Sequence, residues 1–265
     1  MISRRGVLAG GAGVLGLGVA AVAGWELAPD RIKQRLGVDT FFVPDAAEGQ
    51  VTLEQVESTA LGAEVHLFTA VPAGYGDGAG LPVVMVLHGA SASAEEFRSY
   101  GFGRFVTAAV EAGAPPFVLA GTDDGPTGWV PDGSGDPQRL VTEELPAWLT
   151  ERGFDADRRA LWGWSRGGYG VLRLLESRPD FARAAALFSP AVVAGDPVLD
   201  DLAALAAVPL GIWCGDDDPF LDGVHELVQR LTDEPDVLTY APGAHDRRFW
   251  NDHTLDAFAW LAPRL

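Results

Sequence analysis

The sequence has almost no cysteine and almost no lysine. Cys214 is the only cysteine among 265 residues, which excludes a disulfide or a cysteine metal cluster formed within this sequence. It lies in the apolar run 210–214, where cysteine usually serves as a small buried hydrophobic residue. Lys33 is the only lysine, so arginine supplies nearly all of the positive charge.

Positive charge is scarce overall, because the formal net charge is −18 at pH 7. Nucleic-acid binding needs a basic surface that replaces phosphate counterions, so we expect no nucleic-acid partner. The same charge argues against anionic membrane surfaces and strongly acidic substrates, unless Arg166 or another arginine forms a local exception.

The first 24 residues have the composition of a targeting segment. Arg4 and Arg5 precede a stretch rich in alanine, glycine, valine and leucine, which ends near an A-x-A site at 21–23. Residues 1–23 are therefore predicted to be a twin-arginine-type signal peptide for export to the cell envelope or the exterior. An ordinary secretory signal or a retained membrane anchor is the alternative, and we expect membrane contact only through an uncleaved signal.

From residue 82 onward, apolar runs of strand type alternate with runs of helical spacing. The predicted strands are 82–87, 116–120, 158–162, 184–188, 208–214 and 236–240, and the predicted helices are 105–112, 141–149, 171–177, 223–231 and 257–261, with another helix beginning at 94–97. Such alternation predicts a mostly parallel sheet covered by helices. Two alternating runs, 50–58 and 63–71, predict a β-hairpin ahead of it. We expect residues 24–50 to be a spacer and residues 51–265 to be one catalytic α/β domain.

A G-x-S-x-G pattern, GWSRG, occupies residues 163–167 between a predicted strand and a predicted helix. A serine on such a sharp turn has its hydroxyl exposed at the sheet edge, and only small neighbours such as Gly163 and Gly167 fit the strained backbone. The start of the following helix offers backbone N–H groups to a developing anion. Ser165 is therefore the candidate nucleophile, and it needs a base and a carboxylate as partners.

The turns after the predicted strands carry candidate partners in a definite order. An acidic turn at 216–218 and then His245 follow Ser165, and a His-Gly turn at 88–89 precedes it. This order resembles the α/β-hydrolase superfamily. A narrower resemblance is to the "Putative esterase" family, which includes esterase D and the antigen 85 mycolyltransferases. It rests on segment 243–245, which Trp250 follows five residues later, and on the helix residues 143–145. The resemblance spans about residues 51–262.

This resemblance implies a catalytic triad of Ser165, His245 and Asp218. Asp218 stands where the family-like pattern has an aspartate, three residues after a glycine and directly before a proline. The resemblance also implies an oxyanion hole formed by the backbone N–H groups of Ala90 and Arg166. We expect an α/β-hydrolase fold with helices on both faces of the sheet. No large cap domain is expected, because the segment between the serine and the acid is short.

Several residues have competing interpretations. Asp217 is the alternative to Asp218 as the triad acid, and the three adjacent aspartates of this turn could instead bind Ca²⁺. The Arg166 side chain either faces the cleft or forms a structural ion pair. Trp129 or Phe220 is expected at the rim of an open cleft. The other histidines are expected to be solvated strand, turn-shaping or surface helix residues; they are His66, His88, His225 and His253.

The sequence therefore predicts an exported serine hydrolase that cleaves carboxylic esters, small-molecule or glycan-linked, through an acyl-enzyme. This chemistry implies no metal ion and no organic cofactor. Acyl transfer to a sugar hydroxyl, as in the mycolyltransferases, is an alternative, although Asp246 and Arg247 replace the His-x-Trp sequence usual in the family at this turn. A non-catalytic envelope protein that uses the fold for binding is the alternative outside the enzymes.

Overall fold

The structure, a computed structural model, describes residues 41–126 and 128–265. The predicted signal peptide and residues 24–40 of the predicted spacer lie outside the described residues. Among the residues that are described, no helix is long and apolar enough to cross a membrane.

The centre of the fold is an eight-stranded sheet in the order β1-β2-β4-β3-β5-β6-β7-β8. The strands are β1 (Gln50–Ser58), β2 (Ala63–Val71), β3 (Pro82–Leu87), β4 (Val118–Thr122), β5 (Asp155–Trp164), β6 (Ala185–Phe188), β7 (Leu210–Gly215) and β8 (Val237–Ala241). β2 is antiparallel to both of its neighbours, and every other neighbouring pair is parallel. β1 and β2 form the expected hairpin, so the predicted hairpin and mostly parallel sheet are confirmed.

Helices cover both faces of this sheet. They are α1 (Phe102–Glu111), α2 (Pro137–Arg139), α3 (Leu145–Glu151), α4 (Arg166–Ser177), α5 (Leu221–Arg230) and α6 (Arg247–Leu261). α1 and α6 contribute to the hydrophobic core on one face, and α3, α4 and α5 contribute to the core on the other face. β3, β4, β6 and β7 consist entirely of buried residues, which explains why their sequences are continuously apolar.

Three predicted helices differ most from the structure. The segment at 94–97 is a single 3-10 turn, Ala94–Glu96. The helix predicted at 141–149 is divided between a π-helical segment, Leu140–Glu144, and α3, with α2 directly ahead of the π-helical segment. α6 contains the predicted segment 257–261 but begins at Arg247, because Asp246 caps it by accepting a hydrogen bond from the Phe249 N–H at 3.0 Å. His253, expected on the surface of a helix, lies inside α6 and is half-buried.

Glu144 connects the helical layer to the hairpin turn. Its carboxylate accepts hydrogen bonds from Ser58 Oγ at 2.6 Å, from Thr59 Oγ1 at 2.5 Å and from the Ala60 N–H at 2.9 Å. Burial acts to raise the pKa of Glu144, but these hydrogen bonds outweigh burial and lower the pKa below its usual value. These hydrogen bonds fix the hairpin and therefore β2. β2 pairs with β4, and the loop after β4 leads to the candidate site.

Candidate active site

Ser165 lies between the last residue of β5 and the first residue of α4. Its φ of 55° and ψ of −124° are values that L-residues rarely adopt. A Cβ on Gly163 would come within 2.6 Å of the Gly167 carbonyl oxygen, and a Cβ on Gly167 would overlap the Leu87 carbonyl oxygen. Both glycines of the sequence pattern are therefore required by the close backbone packing that holds Ser165 in its strained turn.

His245 and Asp218 lie beside Ser165 at the carboxyl edge of the sheet. Asp218 follows β7, and His245 follows β8. His245 Nε2 is 2.8 Å from Ser165 Oγ, and His245 Nδ1 is 2.9 Å and 3.1 Å from the two carboxylate oxygens of Asp218. None of the three residues is more than 9% exposed. The structure thus brings together the serine, histidine and aspartate that the sequence predicts as a triad.

Backbone and aromatic groups restrict the orientation of the acid and the imidazole. The Phe220 N–H donates a hydrogen bond to Asp218 Oδ1 at 2.9 Å. The His245 ring contacts the Phe220 ring at a centroid distance of 4.9 Å and the Trp250 ring at 5.1 Å. Trp250 is the residue on which part of the family resemblance rests, and its contact restricts rotation of the imidazole. Side chains whose rotamers are fixed by packing keep catalytic geometry within narrow limits.

The two N–H groups predicted for an oxyanion hole lie in turns beside Ser165. A Cβ on Gly89 would come within 3.1 Å of the Ser165 Cβ, so the turn that contains Ala90 passes directly against the serine. Arg166 is the first residue of α4, where N–H groups have no partner inside the helix. Within the described chain, neither N–H donates to a backbone acceptor. Both are therefore available to a negative oxygen that forms next to Ser165.

The Arg166 side chain forms an ion pair with Asp124, which lies in the loop after β4. Of the two interpretations of this side chain, the structure has the ion pair. Burial raises the pKa of Asp124, while His88 and Arg166 act in the opposite direction. His88 Nε2 is 4.0 Å from Asp124 Oδ1, and burial lowers the pKa of His88. A buried polar cluster therefore lies beside both N–H groups.

Two expectations for this region need correction. Of the two aromatic residues expected at a cleft rim, Trp129 is buried, because it is 1% exposed and its indole N–H donates to the His88 carbonyl oxygen at 2.8 Å. Phe220 is half-buried and packs against the His245 ring. His66 is not simply a solvated strand residue, because its Nδ1 is 2.8 Å from Asp123 Oδ2 and its Nε2 is 3.5 Å from Glu95 Oε1. The two outcomes have different causes. Antiparallel pairing of β2 with β4 sets Leu67 opposite Thr122, which brings His66 beside Asp123. Trp129 is buried because the loop after β4 folds back over the turn after β3, which a glycine-rich sequence does not indicate.

The other candidates do not join this group. Asp216 and Asp217 are exposed, so Asp218 is the aspartate of this turn that faces the imidazole. The described residues contain no group of three histidine, cysteine, aspartate or glutamate side chains arranged for a metal ion. His225 is exposed on α5. Cys214 is buried in β7, and burial raises the pKa of its thiol to about 12, which leaves it protonated and unreactive at neutral pH.

Several solved structures have a fold similar to that of this chain. A ferulic acid esterase gives a TM-score of 0.75 at 18% identity, covering 83% of this chain and 100% of that one. An S-formylglutathione hydrolase from Agrobacterium tumefaciens gives 0.66 at 19% identity, with coverages of 84% and 98%. MPT51 (FbpC1) of Mycobacterium tuberculosis gives 0.64 at 12% identity, with coverages of 82% and 99%. The chain therefore has the α/β-hydrolase fold, and that prediction is confirmed.

The sequence also matches a protein-family model. The family described as "Putative esterase" matches residues 58–260, which is most of the chain. The protein belongs to this esterase family, so the resemblance inferred from the sequence is confirmed. A search of curated proteins found no significant match.

Proposed function

We propose that this protein is a serine hydrolase that cleaves carboxylic esters through an acyl-enzyme on Ser165. The observation that carries the proposal is the hydrogen-bonded chain from Asp218 through His245 to Ser165, located at a strained turn in a member of an esterase family. A serine hydroxyl is a weak nucleophile unless a base takes its proton, and an imidazole works as that base when a carboxylate orients it.

In the proposed mechanism, His245 Nε2 takes the hydroxyl proton of Ser165 as Oγ attacks the ester carbonyl carbon. Asp218 accepts the Nδ1–H hydrogen bond and stabilises the imidazolium. The N–H groups of Ala90 and Arg166 stabilise the oxyanion. His245 then protonates the departing alkoxide, the alcohol leaves, and the acyl group stays on Ser165. Water enters, gives a proton to His245 and adds to the acyl carbon; the acid is released as Ser165 recovers its proton.

Each of these steps uses a side chain or a backbone N–H of this chain, so the proposed mechanism needs no metal ion and no organic cofactor. The substrate we propose is a small-molecule or glycan-linked ester without strong negative charge. The net charge of −18 disfavours acidic substrates, and the ion pair with Asp124 compensates the charge of Arg166 near the serine.

Acyl transfer to a sugar hydroxyl is the closest competing reaction, because it would use the same acyl-enzyme. The two residues that replace the family's usual His-x-Trp have structural contacts here. Asp246 caps α6, and Arg247 is buried, with Nη2 donating to the Ser99 carbonyl oxygen at 2.7 Å. These contacts leave neither side chain placed for an acceptor, which favours hydrolysis over transfer.

The test is intact-mass analysis of residues 24–265 after exposure to a fluorophosphonate. We expect one phosphonyl adduct on the wild type and none on Ser165→Ala. Ser189→Ala is the matched control and should be labelled like the wild type, because Ser189 is fully buried. A folded wild type that stays unlabelled would refute the proposal and favour a non-catalytic binding protein. A p-nitrophenyl ester series with and without added sugars then separates hydrolysis from transfer.

We also propose that residues 1–23 direct export through the twin-arginine route, on the basis of Arg4 and Arg5 ahead of the apolar stretch. The measurement is the N-terminal sequence of the protein recovered outside the cytoplasm of expressing cells. Cleavage after Ala23 is expected in the wild type, and replacing both arginines with lysine should retain the precursor inside. Export that is indifferent to this double replacement would argue for an ordinary secretory signal.

A further inference from the structure

The turn that contains Ala90 is fixed at one end by Asp123, the first residue after β4. Asp123 Oδ1 accepts a hydrogen bond from the Ala94 N–H at 2.9 Å. Its Oδ2 accepts the backbone N–H of His66 at 2.8 Å and lies 2.8 Å from His66 Nδ1. Because His66 belongs to β2, a single carboxylate ties this turn to a strand of the sheet.

The other end of the same turn is fixed by Trp129, which lies further along the loop. Its indole N–H donates to the His88 carbonyl oxygen at 2.8 Å, and the indole ring packs against the His88 ring at a centroid distance of 5.1 Å. A Cβ on Gly170 would overlap the Trp129 side chain, so the tryptophan is held firmly against α4. Ala90 is exposed and lies between these two fixed ends.

Asp124, the next residue of the loop, contacts the second N–H donor of the proposed oxyanion hole through its side chain. Its carboxylate pairs with the Arg166 guanidinium and is only 14% exposed. A Cβ on Gly128 would come within 2.6 Å of Arg166 Cδ, so the loop backbone also packs along the arginine side chain. The position of Arg166 is therefore restricted both by the contacts of its guanidinium and by its place at the start of α4.

We propose that Asp123 and Asp124 are positioning residues for the oxyanion hole, with Asp123 acting through the turn of Ala90 and Asp124 acting through Arg166. This inference rests on the proposed hydrolase function. An oxyanion hole works only when both N–H groups point at the place where the charge develops, and misplacement by about 1 Å can cost about 100-fold in rate. Two adjacent carboxylates on one loop hold the two halves of the hole in register, although the halves are far apart in the sequence.

A purely structural role makes a different prediction. If the carboxylates only stabilise the fold, their removal lowers the melting temperature and the number of active molecules, while each active molecule keeps its turnover rate. If they position the N–H groups, removal weakens binding of the transition state and leaves binding of the ground-state ester unchanged. A trifluoromethyl ketone reports on the first quantity, because Ser165 adds to its carbonyl carbon, His245 takes the serine proton, and the resulting oxyanion occupies the hole.

The experiment compares Asp123→Asn and Asp124→Asn with the wild type and with Asp157→Asn, a matched control whose side chain is fully exposed. The readouts are kcat and KM for a p-nitrophenyl ester, with active sites counted by fluorophosphonate, and the inhibition constant of a trifluoromethyl ketone. We expect kcat to fall by about 10- to 100-fold in each loop variant, KM to stay within about twofold, and the inhibition constant to rise by the factor that kcat loses. Asp157→Asn should match the wild type in all three.

A double variant tests the route through Arg166. If Asp124 acts through that side chain, Asp124→Asn combined with Arg166→Gln loses no more activity than the stronger of the two single variants. Loop variants with wild-type kcat per active site and unchanged ketone inhibition would overturn the inference while leaving the hydrolase function intact. A wild type that neither reacts with fluorophosphonate nor binds the ketone would overturn the proposed function, and the inference with it.

Discussion

Two serines of this protein share a positive φ and have different surroundings. Ser165 and Ser189 end the neighbouring strands β5 and β6, and among the described residues they are the only ones other than glycine with positive φ, at 55° and 44°. Each backbone N–H donates to the next strand, Ser165 to Phe188 and Ser189 to Trp213. Ser165 Oγ lies 2.8 Å from His245 Nε2, whereas the Ser189 hydroxyl is fully buried and has no nitrogen or oxygen partner among the described residues. A strained strand end alone does not make a nucleophile.

Two buried histidines at the same edge of the sheet differ in a similar way. His245 has an aspartate within 2.9 Å of one ring nitrogen and a serine within 2.8 Å of the other. The Nδ1–H of His88 donates to the Gly89 carbonyl oxygen at 2.8 Å, and its Nε2 has no hydrogen-bond partner among the described residues, with Asp124 4.0 Å away. Burial lowers the pKa of His88, which disfavours its charged form. We expect reactivity at this edge to depend on the hydrogen-bonded pairing of serine, histidine and aspartate.

The largest expected effect separates the two serines. Ser165→Ala should lower kcat for a p-nitrophenyl ester by about 10⁶-fold, because the nucleophile and its base act as one unit. Ser189→Ala should change kcat by less than about threefold. Steady-state hydrolysis by the purified variants, after a circular dichroism check of folding, measures both. Comparable losses in the two variants would mean that Ser189 supports the chemistry and that the comparison is wrong.

The next effect separates the two neighbouring acids. Asp218→Asn should lower kcat by about 10⁴-fold near neutral pH, because an amide at this position favours the wrong tautomer of His245. Asp217→Asn should stay within about twofold of the wild type, since Asp217 is exposed. The two variants change adjacent residues of the same turn and remove the same charge, so a change in net charge alone would affect both equally. Similar activity in the two variants would exclude Asp218 as the residue that orients the base.

The sequence alone predicts the parts of this fold that depend on local pattern. Continuously apolar runs mark the central strands because those strands are buried on both faces. The G-x-S-x-G pattern marks the turn at Ser165 because the backbone there excludes a Cβ on Gly163 and Gly167. The order of serine, acid and histidine selects residues that the parallel strands then bring to one edge, since strands of one direction end on the same side.

Contacts between loops are what the sequence does not predict. Trp129 is one of two aromatic residues expected at a cleft rim, yet it is buried against the turn of His88. The glycine-rich stretch around it gives no signal that Asp123 contacts the turn of Ala90 or that Asp124 contacts the Arg166 side chain. The sequence also does not predict where α6 starts. The residues around Arg247 lack the apolar spacing of a helix, and the cap at Asp246 becomes evident only from its hydrogen bond.

A smaller effect concerns the buried His88 and depends on pH. Burial lowers the pKa of His88 in the folded protein below its ordinary value of 6.5, so the unfolded chain binds more protons as the pH falls below about 6.5. The free energy of unfolding should therefore decrease as the pH decreases in that range, and His88 should account for up to about 1.4 kcal/mol per pH unit. Urea denaturation between pH 7.5 and 5.5 should show a shallower dependence in His88→Gln. The exposed control, His225→Gln, should follow the wild type, and an equal flattening in both would rule out His88 as the source.

The smallest effect tests whether the two serine turns are strained to the same degree. At an ordinary helical position glycine is less stable than alanine by about 1 kcal/mol, but at positive φ the order reverses because glycine has no Cβ. The glycine variants at Ser165 and Ser189 should therefore be more stable than the alanine variants by about 1 kcal/mol each. Comparing glycine with alanine at one site cancels the effect of losing the hydroxyl, including its hydrogen bond to His245.

Ser177, at the end of α4, is the control position, where alanine should be more stable than glycine. Chemical denaturation of the six variants measures these differences. If alanine is more stable than glycine at Ser189, the strain is confined to the turn of Ser165. If glycine is more stable at both turns, the two serines share a strained backbone and differ in the pairing with His245.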